Sequence, residues 1–382
     1  MVESNYPLRF LSYLIGVGFK QSTQDYRQFA KQKIVPANTA FKYEKLESQI
    51  ALPSFSHLIA SAKQITSFES FLDASQTCAF IIVKDDKIVY ENYSQGHNRE
   101  SLFQIFSITK SFTSILIGIA VEGGLIKNIN DPVTFYLPEL KKNGFEKLTI
   151  NNLLQMHSGI KFKEGFTPWK EMVISYLYQN GRDLTHRMKL EDEIGKFFHY
   201  NDYHLILLTA ILESVLEKSP IKFFEEKIWK QIGSEYPAYM CLDNSKNGLA
   251  KLESGLVCTP IDLAKFGRLL LNNGMLNENQ VVPRKWIEES TDFASSNLSK
   301  EYFSYYDQKS WGNWFRTGKA AYKNFWWGYK IDESHFDYFA MGILGQILYI
   351  SPSKNAIGIR LGNAWQIKGW WPSVIKEIID SL

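Results

Sequence analysis

The sequence predicts an α+β fold: a mostly antiparallel β-sheet flanked by helices, with a helical lobe inserted between its first and last strands. Three observations carry this. Residues 79–94 (AFIIVKDDKIVYENYS) are two β-branched and aromatic runs around Asp85-Asp86, a hairpin signature. Residues 335–351 and 355–362 return to strand-like runs on either side of a Ser-Pro-Ser-Lys turn. The stretch between, about 126–325, alternates helical segments with loops. Strands gathered at both ends around a helical middle favour α+β over an alternating parallel fold.

Taken in order, residues 1–70 have helical and loop character and are expected to form an N-terminal extension to a larger unit at 71–382. The sheet is expected from about 78–125 and 326–382. Within the extension, Leu8 to Phe19 is apolar, but Glu3 precedes it and no small-x-small cleavage pattern follows. An ordered or peripheral segment is expected there rather than a leader. A helix begins at Ser107 and stops at Gly123-Gly124. Pro132 and Pro138 confine the next helix to a short one, and 148–159 is a short helix ended by Ser158-Gly159. Asp202 opens an apolar helix over 202–218, and Thr259-Pro260 opens another that closes at Gly274. Pro372 opens a final helix over 373–382.

Composition bounds the function. The chain has 382 residues, 45% of them hydrophobic and 15% aromatic, enough for a large core. Net charge is +3 on 43 basic and 40 acidic residues, too balanced to indicate nucleic acid as a partner. No run of eighteen apolar residues occurs, so no stable membrane span is expected. Cys78, Cys241 and Cys258 are far apart and read as packed free thiols rather than a disulfide frame or zinc site. No cofactor or metal is expected. No compartment follows from the sequence: the cytoplasm is slightly favoured, and periplasmic or membrane-peripheral placements stay open.

One lysine stands out. Between Glu100 and Glu122 the only charged residue is Lys110, three positions after Ser107. Residues three apart share a helix face, so the amine can reach the hydroxyl. Burial disfavours an ammonium, and a neutral amine beside a serine is a base beside a nucleophile. Ser-x-x-Lys also occurs at Ser158, Ser219, Ser351 and Ser373, but at loop ends, before prolines or on an exposed helix. Only Ser107 stands at the mouth of a buried helix.

Phe103 to Gly123 resembles the active-site helix of the serine β-lactamase and penicillin-binding-protein superfamily. The class C β-lactamase-like branch, with its esterases and 6-aminohexanoate-dimer hydrolases, is most similar. Residues 79–94, 148–159, 198–213, 254–274 and 342–352 match in the family's order, from about residue 78 to the end. The resemblance implies a β-lactamase/transpeptidase-like fold, with 71–382 as the catalytic domain.

It also implies a second element, Tyr-x-Asn, standing here as Tyr200-Asn201-Asp202. Tyr200 would relay protons. Asp202 departs from the pattern and could serve as an N-cap, as a partner of Lys110, or as both. A carboxylate beside Lys110 would raise its pKa and make Tyr200 the main base. The sequence leaves these assignments open.

The third element, Lys-Thr-Gly or His-x-Gly, is absent. The stretch in register is Gly342-Ile343-Leu344-Gly345-Gln346. By resemblance, Gly345 would let substrate approach a strand, Ile343 would face it, and the backbone N–H groups of Ser107 and Gln346 would form an oxyanion hole. Ile343 and Leu344 cannot hold a substrate carboxylate, which points to an ester or amide rather than a penicillin.

Trp311, Trp314, Trp326 and Trp327 are candidate pocket walls or core. His157 reads as a structural loop residue, and His199 stays unassigned. The expected activity is a serine hydrolase cleaving a small-molecule ester or amide, peptide-like amides included, through an acyl-enzyme on Ser107. Lys110 and Tyr200 would be catalytic; Asp202, Gly345, Gln346 and Ile343 would bind substrate. β-Lactamase or D-aminopeptidase-type activity, and a catalytically silent binder of peptide or cell-wall fragments, stay open as alternatives.

Overall fold

The computed structural model describes residues 6–59, 65–306 and 313–382. The chain opens with α1 (Tyr6–Gly16), β1 (Ala30–Ile34), the two-residue β2 (Glu44–Lys45) and α2 (Phe68–Ala74). β3 (Thr77–Lys84) and β4 (Lys87–Tyr93) form the expected hairpin. Asp85 and Asp86 both have positive φ, 51° and 58°, the geometry a two-residue type I′ turn requires. β5 (Phe103–Gln104) and α3 (Thr109–Glu122) follow, then short helices, then β6 (Ala238–Leu242) and β7 (Leu256–Cys258). A small hairpin, β8 (Met275–Leu276) and β9 (Asn279–Gln280), precedes the tail strands β10 (Ala320–Lys323), β11 (Trp326–Lys330), β12 (Phe336–Gly342), β13 (Gln346–Ser351) and β14 (Ala356–Gly362).

The main sheet has eight strands in the order β10-β11-β12-β13-β14-β3-β4-β2, antiparallel except where β2 meets β4. The first hairpin therefore docks against the tail, as the segregated pattern predicts. Helices Pro260–Leu271 and Trp371–Asp380 cover opposite faces. β14 shows how, because successive strand residues point to opposite sides. A Cβ on Gly267 would stand 2.9 Å from Ile357 Cγ2, whereas one on Gly358 would stand 2.2 Å from Ile375 Cγ2. α3 lies on the first side, with Phe112 stacked on Phe266 at 3.6 Å between ring centroids. α2 lies on the second, with Phe71 packed 5.6 Å from Trp371.

Three features differ from the sequence expectation. The described part of residues 1–70 supplies an edge strand to each of the two larger sheets: β1 pairs with β6, and β2 with β4. β1 is mostly exposed and β2 is two residues long, so neither shows an apolar alternation to read. The middle of the chain supplies β6 and β7 to a second sheet, β1-β6-β7-β5, whose short strands look like loop in sequence. Finally, the run read as one strand over 335–351 is two strands folded back on each other, with Gly342 paired to Gln346. The reversal occurs at Ile343–Gly345, where Leu344 and Gly345 have φ of 65° and 81°. A continuous apolar run hides such a corner, and a leucine at positive φ is not anticipated from residue type.

Candidate active site

Ser107 occupies a single 3-10 turn, Phe106–Ile108, that leads directly into α3. Phe106 is buried and has φ 47°, a conformation that costs a bulky residue about 1–3 kcal/mol and persists only when its surroundings hold it. The preceding strand is held by Gln104 N donating to Thr23 O and Ile105 N donating to Leu256 O.

One turn on, Lys110 is 1% exposed. Its Nζ donates to Ser107 Oγ at 2.8 Å and to Glu253 O at 2.8 Å, and lies 2.8 Å from Asp202 Oδ1. The Tyr200 ring centroid is 5.0 Å from Nζ, and its phenol is in hydrogen-bonding reach of the Ser107 and Lys110 side chains. Tyr200 is fixed by its N–H donating to Tyr306 Oη at 2.8 Å and by stacking on Trp327 at 5.8 Å. Serine, amine, phenol and carboxylate, brought from distant segments, meet at one point.

Electrostatics then sets protonation. Burial pulls Lys110 toward neutrality, but the Asp202 carboxylate in contact with it outweighs this and holds its pKa above the ordinary lysine value. Lys110 is therefore an ammonium at rest, which removes the neutral-amine reading. Burial raises the Tyr200 phenol, an effect that Lys110 only partly offsets. Tyr200 is therefore protonated at rest. Asp202 does not cap the helix Tyr203–Val215 with its side chain. Asn201 Oδ1 accepts from Tyr203 N instead, at 2.9 Å, which frees the Asp202 carboxylate for Lys110.

The other Ser-x-x-Lys pairs are spent elsewhere. Ser158 Oγ lies 2.5 Å from His204 Nε2, Ser219 caps its own helix, and Ser351 Oγ donates to Asp337 at 2.8 Å. Ser373 reaches the rim of the cavity, but Lys376 pairs with Asp380.

The third element reaches the site by a different route from the one expected. Gly342, Ile343 and Leu344 line the cavity; Gly345 and Gln346 do not. A Cβ on Gly345 would meet the Arg360 guanidinium at 2.5 Å, so its close approach is to a buried arginine and not to substrate. Gln346 is buried, with its amide donating to Ile343 O and Gly362 O. Arg360 in turn donates to Leu344 O at 2.6 Å and Gly345 O at 2.9 Å, which holds the corner in its unusual conformation. Gly342 is the residue that sequence reasoning missed. A Cβ there would stand 2.5 Å from Ile105 O and 3.2 Å from Phe106 Cβ, so only glycine lets the corner press against the turn bearing Ser107. The glycines at 342 and 345 were visible, but which one faces the site was not. The Glu253 carbonyl, a backbone group, carries no sequence signal at all.

Ser107, Tyr200 and Asp202 open onto a cavity of 1390 Å³. Trp314 and Trp327 line it, whereas Trp326 packs between Phe266 and Tyr338; Trp311 lies outside the described residues. α1 forms one wall through Phe10, Tyr13 and Leu14. Within the apolar segment at 8–19, Leu8, Leu11 and Ile15 stay exposed instead, and no described helix is long and apolar enough to cross a membrane. His157 faces Tyr302 at 3.1 Å, its pKa pushed down to about 4 by burial, and His199 stacks on Tyr305 at 4.2 Å. Neither lines the cavity.

An α+β sheet with a helical lobe and a Ser-Lys-Tyr cluster between them defines a β-lactamase-fold serine hydrolase. The family model described as Beta-lactamase matches residues 68–364, and the chain belongs to that family. It is 23% identical to the 6-aminohexanoate-dimer hydrolase of Paenarthrobacter ureafaciens over 319 residues, 80% of this chain and 77% of that one. Among solved structures, a Bacillus anthracis protein whose name suggests a 6-aminohexanoate-dimer hydrolase superposes with a TM-score of 0.75 at 22% identity, covering 94% of this chain and 92% of that one. A class C β-lactamase from Rhodobacter sphaeroides superposes with a TM-score of 0.58 at 14% identity, covering 82% and 98%.

Proposed function

We propose that this serine hydrolase cleaves an ester or amide by attack of Ser107 Oγ on the carbonyl carbon. The observation that carries the reading is Lys110 Nζ at 2.8 Å from both Ser107 Oγ and Asp202 Oδ1, with the Tyr200 phenol alongside. The resting cluster holds one proton too many to act as a base. Loss of one proton from the coupled Lys110–Tyr200 pair creates the acceptor, and the ammonium stabilises that negative charge on the phenol. The serine proton passes to this acceptor and then to the departing alcohol or amine. Water, deprotonated by the same acceptor, releases the acyl group from Ser107.

We take the donors that meet developing negative charge on the carbonyl oxygen to be the backbone N–H groups of Ser107 and Ile343, which line the cavity, in place of the Gln346 N–H that the resemblance implied, because Gln346 does not reach it. Preorganised donors of this kind are worth about 10²–10³ in rate each. The corner beside Ser107 presents Ile343 and Leu344, with no cation, which favours substrates uncharged next to the scissile bond over penicillins. The relative named as a 6-aminohexanoate-dimer hydrolase makes a linear amide one natural candidate.

A fluorophosphonate probe tests the reading. Labelling of the native protein that maps to Ser107 and vanishes in Ser107→Ala is expected. Native protein that stays unlabelled, or label on another serine, would overturn it. Parallel assays with an ester, a linear amide and a β-lactam order the substrate classes, and turnover fastest on the β-lactam would overturn the preference for substrates uncharged beside the scissile bond.

A further inference from the structure

The cavity is built for more than a small amide. At 1390 Å³ it exceeds the roughly 300–1,000 Å³ of ordinary small-molecule sites. Its walls are apolar over most of their extent: Phe10 and Leu14 from α1, Phe162 and Met172 from the lobe, Trp314 and Trp370 from the tail. Among the described residues two carboxylates line it, and both are occupied. Asp202 pairs with Lys110, and Glu164 accepts from the Tyr306 phenol at 3.3 Å. Of the described lysines, Lys20, Lys319 and Lys368 also line it, all exposed. Among the described residues none of the three is paired with a carboxylate. Lys319 and Lys368 share this cavity with the stacked pair Trp314 and Trp370, whose rings lie 5.7 Å apart. The arrangement is a mostly apolar cavity in which the reactive serine is half-buried and the lysines stand on the exposed side.

We propose that the site takes amphiphilic substrates: a long apolar chain bound along the aromatic walls, carrying an anionic group at the end remote from the scissile bond. This inference rests on the reading of Ser107 as the attacking residue and names the substrate class it serves. Each methylene withdrawn from water favours binding, by about fourfold per group where burial is complete. The exposed lysines add an attraction that salt weakens. They disfavour a chain ending in an ammonium.

The test measures binding, so it stands apart from catalysis. Octanoate, decanoate, decanol and decylammonium are titrated calorimetrically into the native protein at low salt. Decanoate is expected to bind about tenfold more tightly than octanoate. It is also expected to bind at least about tenfold more tightly than decylammonium, with the second gap narrowing at high salt. The paired charge reversal K319E with K368E is expected to weaken decanoate about tenfold while leaving decanol unchanged, and K319Q with K368Q to give a smaller loss in the same direction. Unchanged decanol affinity also reports that the variants are folded. Decylammonium binding as tightly as decanoate, no dependence on chain length, or decanoate indifferent to both pairs of substitutions would each overturn the proposal. A protein that binds decanoate as expected but takes no fluorophosphonate label would instead overturn the hydrolase reading and keep the binding one.

Discussion

Lys110 and Lys265 make an instructive pair. Both lie in the N-terminal halves of buried helices, and both are nearly or wholly inaccessible, at 1% and 0%. Each has a partner three residues earlier: Ser107 for the first, Asp262 for the second. Lys265 is closed on every side, with Asp262 at 3.1 Å, Glu235 at 3.0 Å and Gly233 O at 3.0 Å. Lys110 has one carboxylate and one carbonyl and spends its remaining donor on a serine hydroxyl that faces a cavity. A buried cation whose neighbours are all acceptors holds a fold together. One with a neutral hydroxyl among its neighbours can also change protonation during a reaction. The difference lies in one partner, not in burial.

Substitution should separate the two lysines cleanly. Lys110→Met removes the proton-transfer pair and is expected to lower kcat/KM by about 10³–10⁴. Its effect on thermal stability should be smaller than that of Lys265→Met, because Asp202 is 18% exposed and can be hydrated. Steady-state kinetics on folded protein would break the comparison if Lys110→Met kept a tenth of the native rate. Lys265→Met strands the buried Asp262 without its cation, while Glu235 keeps Arg99, and is expected to cost about 3–5 kcal/mol in denaturant unfolding, with little change in kcat for the folded fraction.

Gly342→Ala sharpens the geometry. Its φ of −115° suits alanine, so any loss comes from the Cβ pressing on Ile105 O. A fall in kcat of about 10²–10³ is expected, because the corner retreats from the carbonyl oxygen. A rise in KM alone, with kcat intact, would mean that the corner binds substrate without serving the transition state.

The smallest and most diagnostic effect is in pH dependence. The acceptor forms only when the Lys110–Tyr200 pair loses a proton, and both groups are shifted upward. kcat/KM should therefore climb with pH into the alkaline range. Asp202→Asn removes the carboxylate that raises Lys110, so the rising limb should move to lower pH by about one to three units. A limb that stays put or moves up would show that Asp202 does not set the charge on Lys110. The same raised pKa stabilises the folded state below the ordinary lysine pKa, and that contribution fades as pH rises through the higher folded value.

Much of this site is legible in the residues alone. Ser107 and Lys110 are neighbours along one helix, so spacing and the uncharged flank are enough to pick them out of five similar pairs. Tyr200 and Asp202 are readable only through family resemblance, because nothing local ties them to position 107. Gly345 and Gln346 were misplaced because a hairpin corner inside a continuous apolar run turns the expected strand face through a reversal, putting Gly342 and Ile343 at the wall.

The amino-acid order alone determined the hairpin and tail strands, the main helices, the turn at Asp85-Asp86 and the serine one helical turn from a lysine. These depend on contacts within a few residues, where side-chain type dictates backbone shape. Tertiary structure decided that the lysine is charged, which glycine presses on the nucleophile's turn, and that the first helix walls the cavity. Those outcomes depend on groups far apart in the chain arriving within a few ångströms of one another, and no local pattern encodes such a meeting.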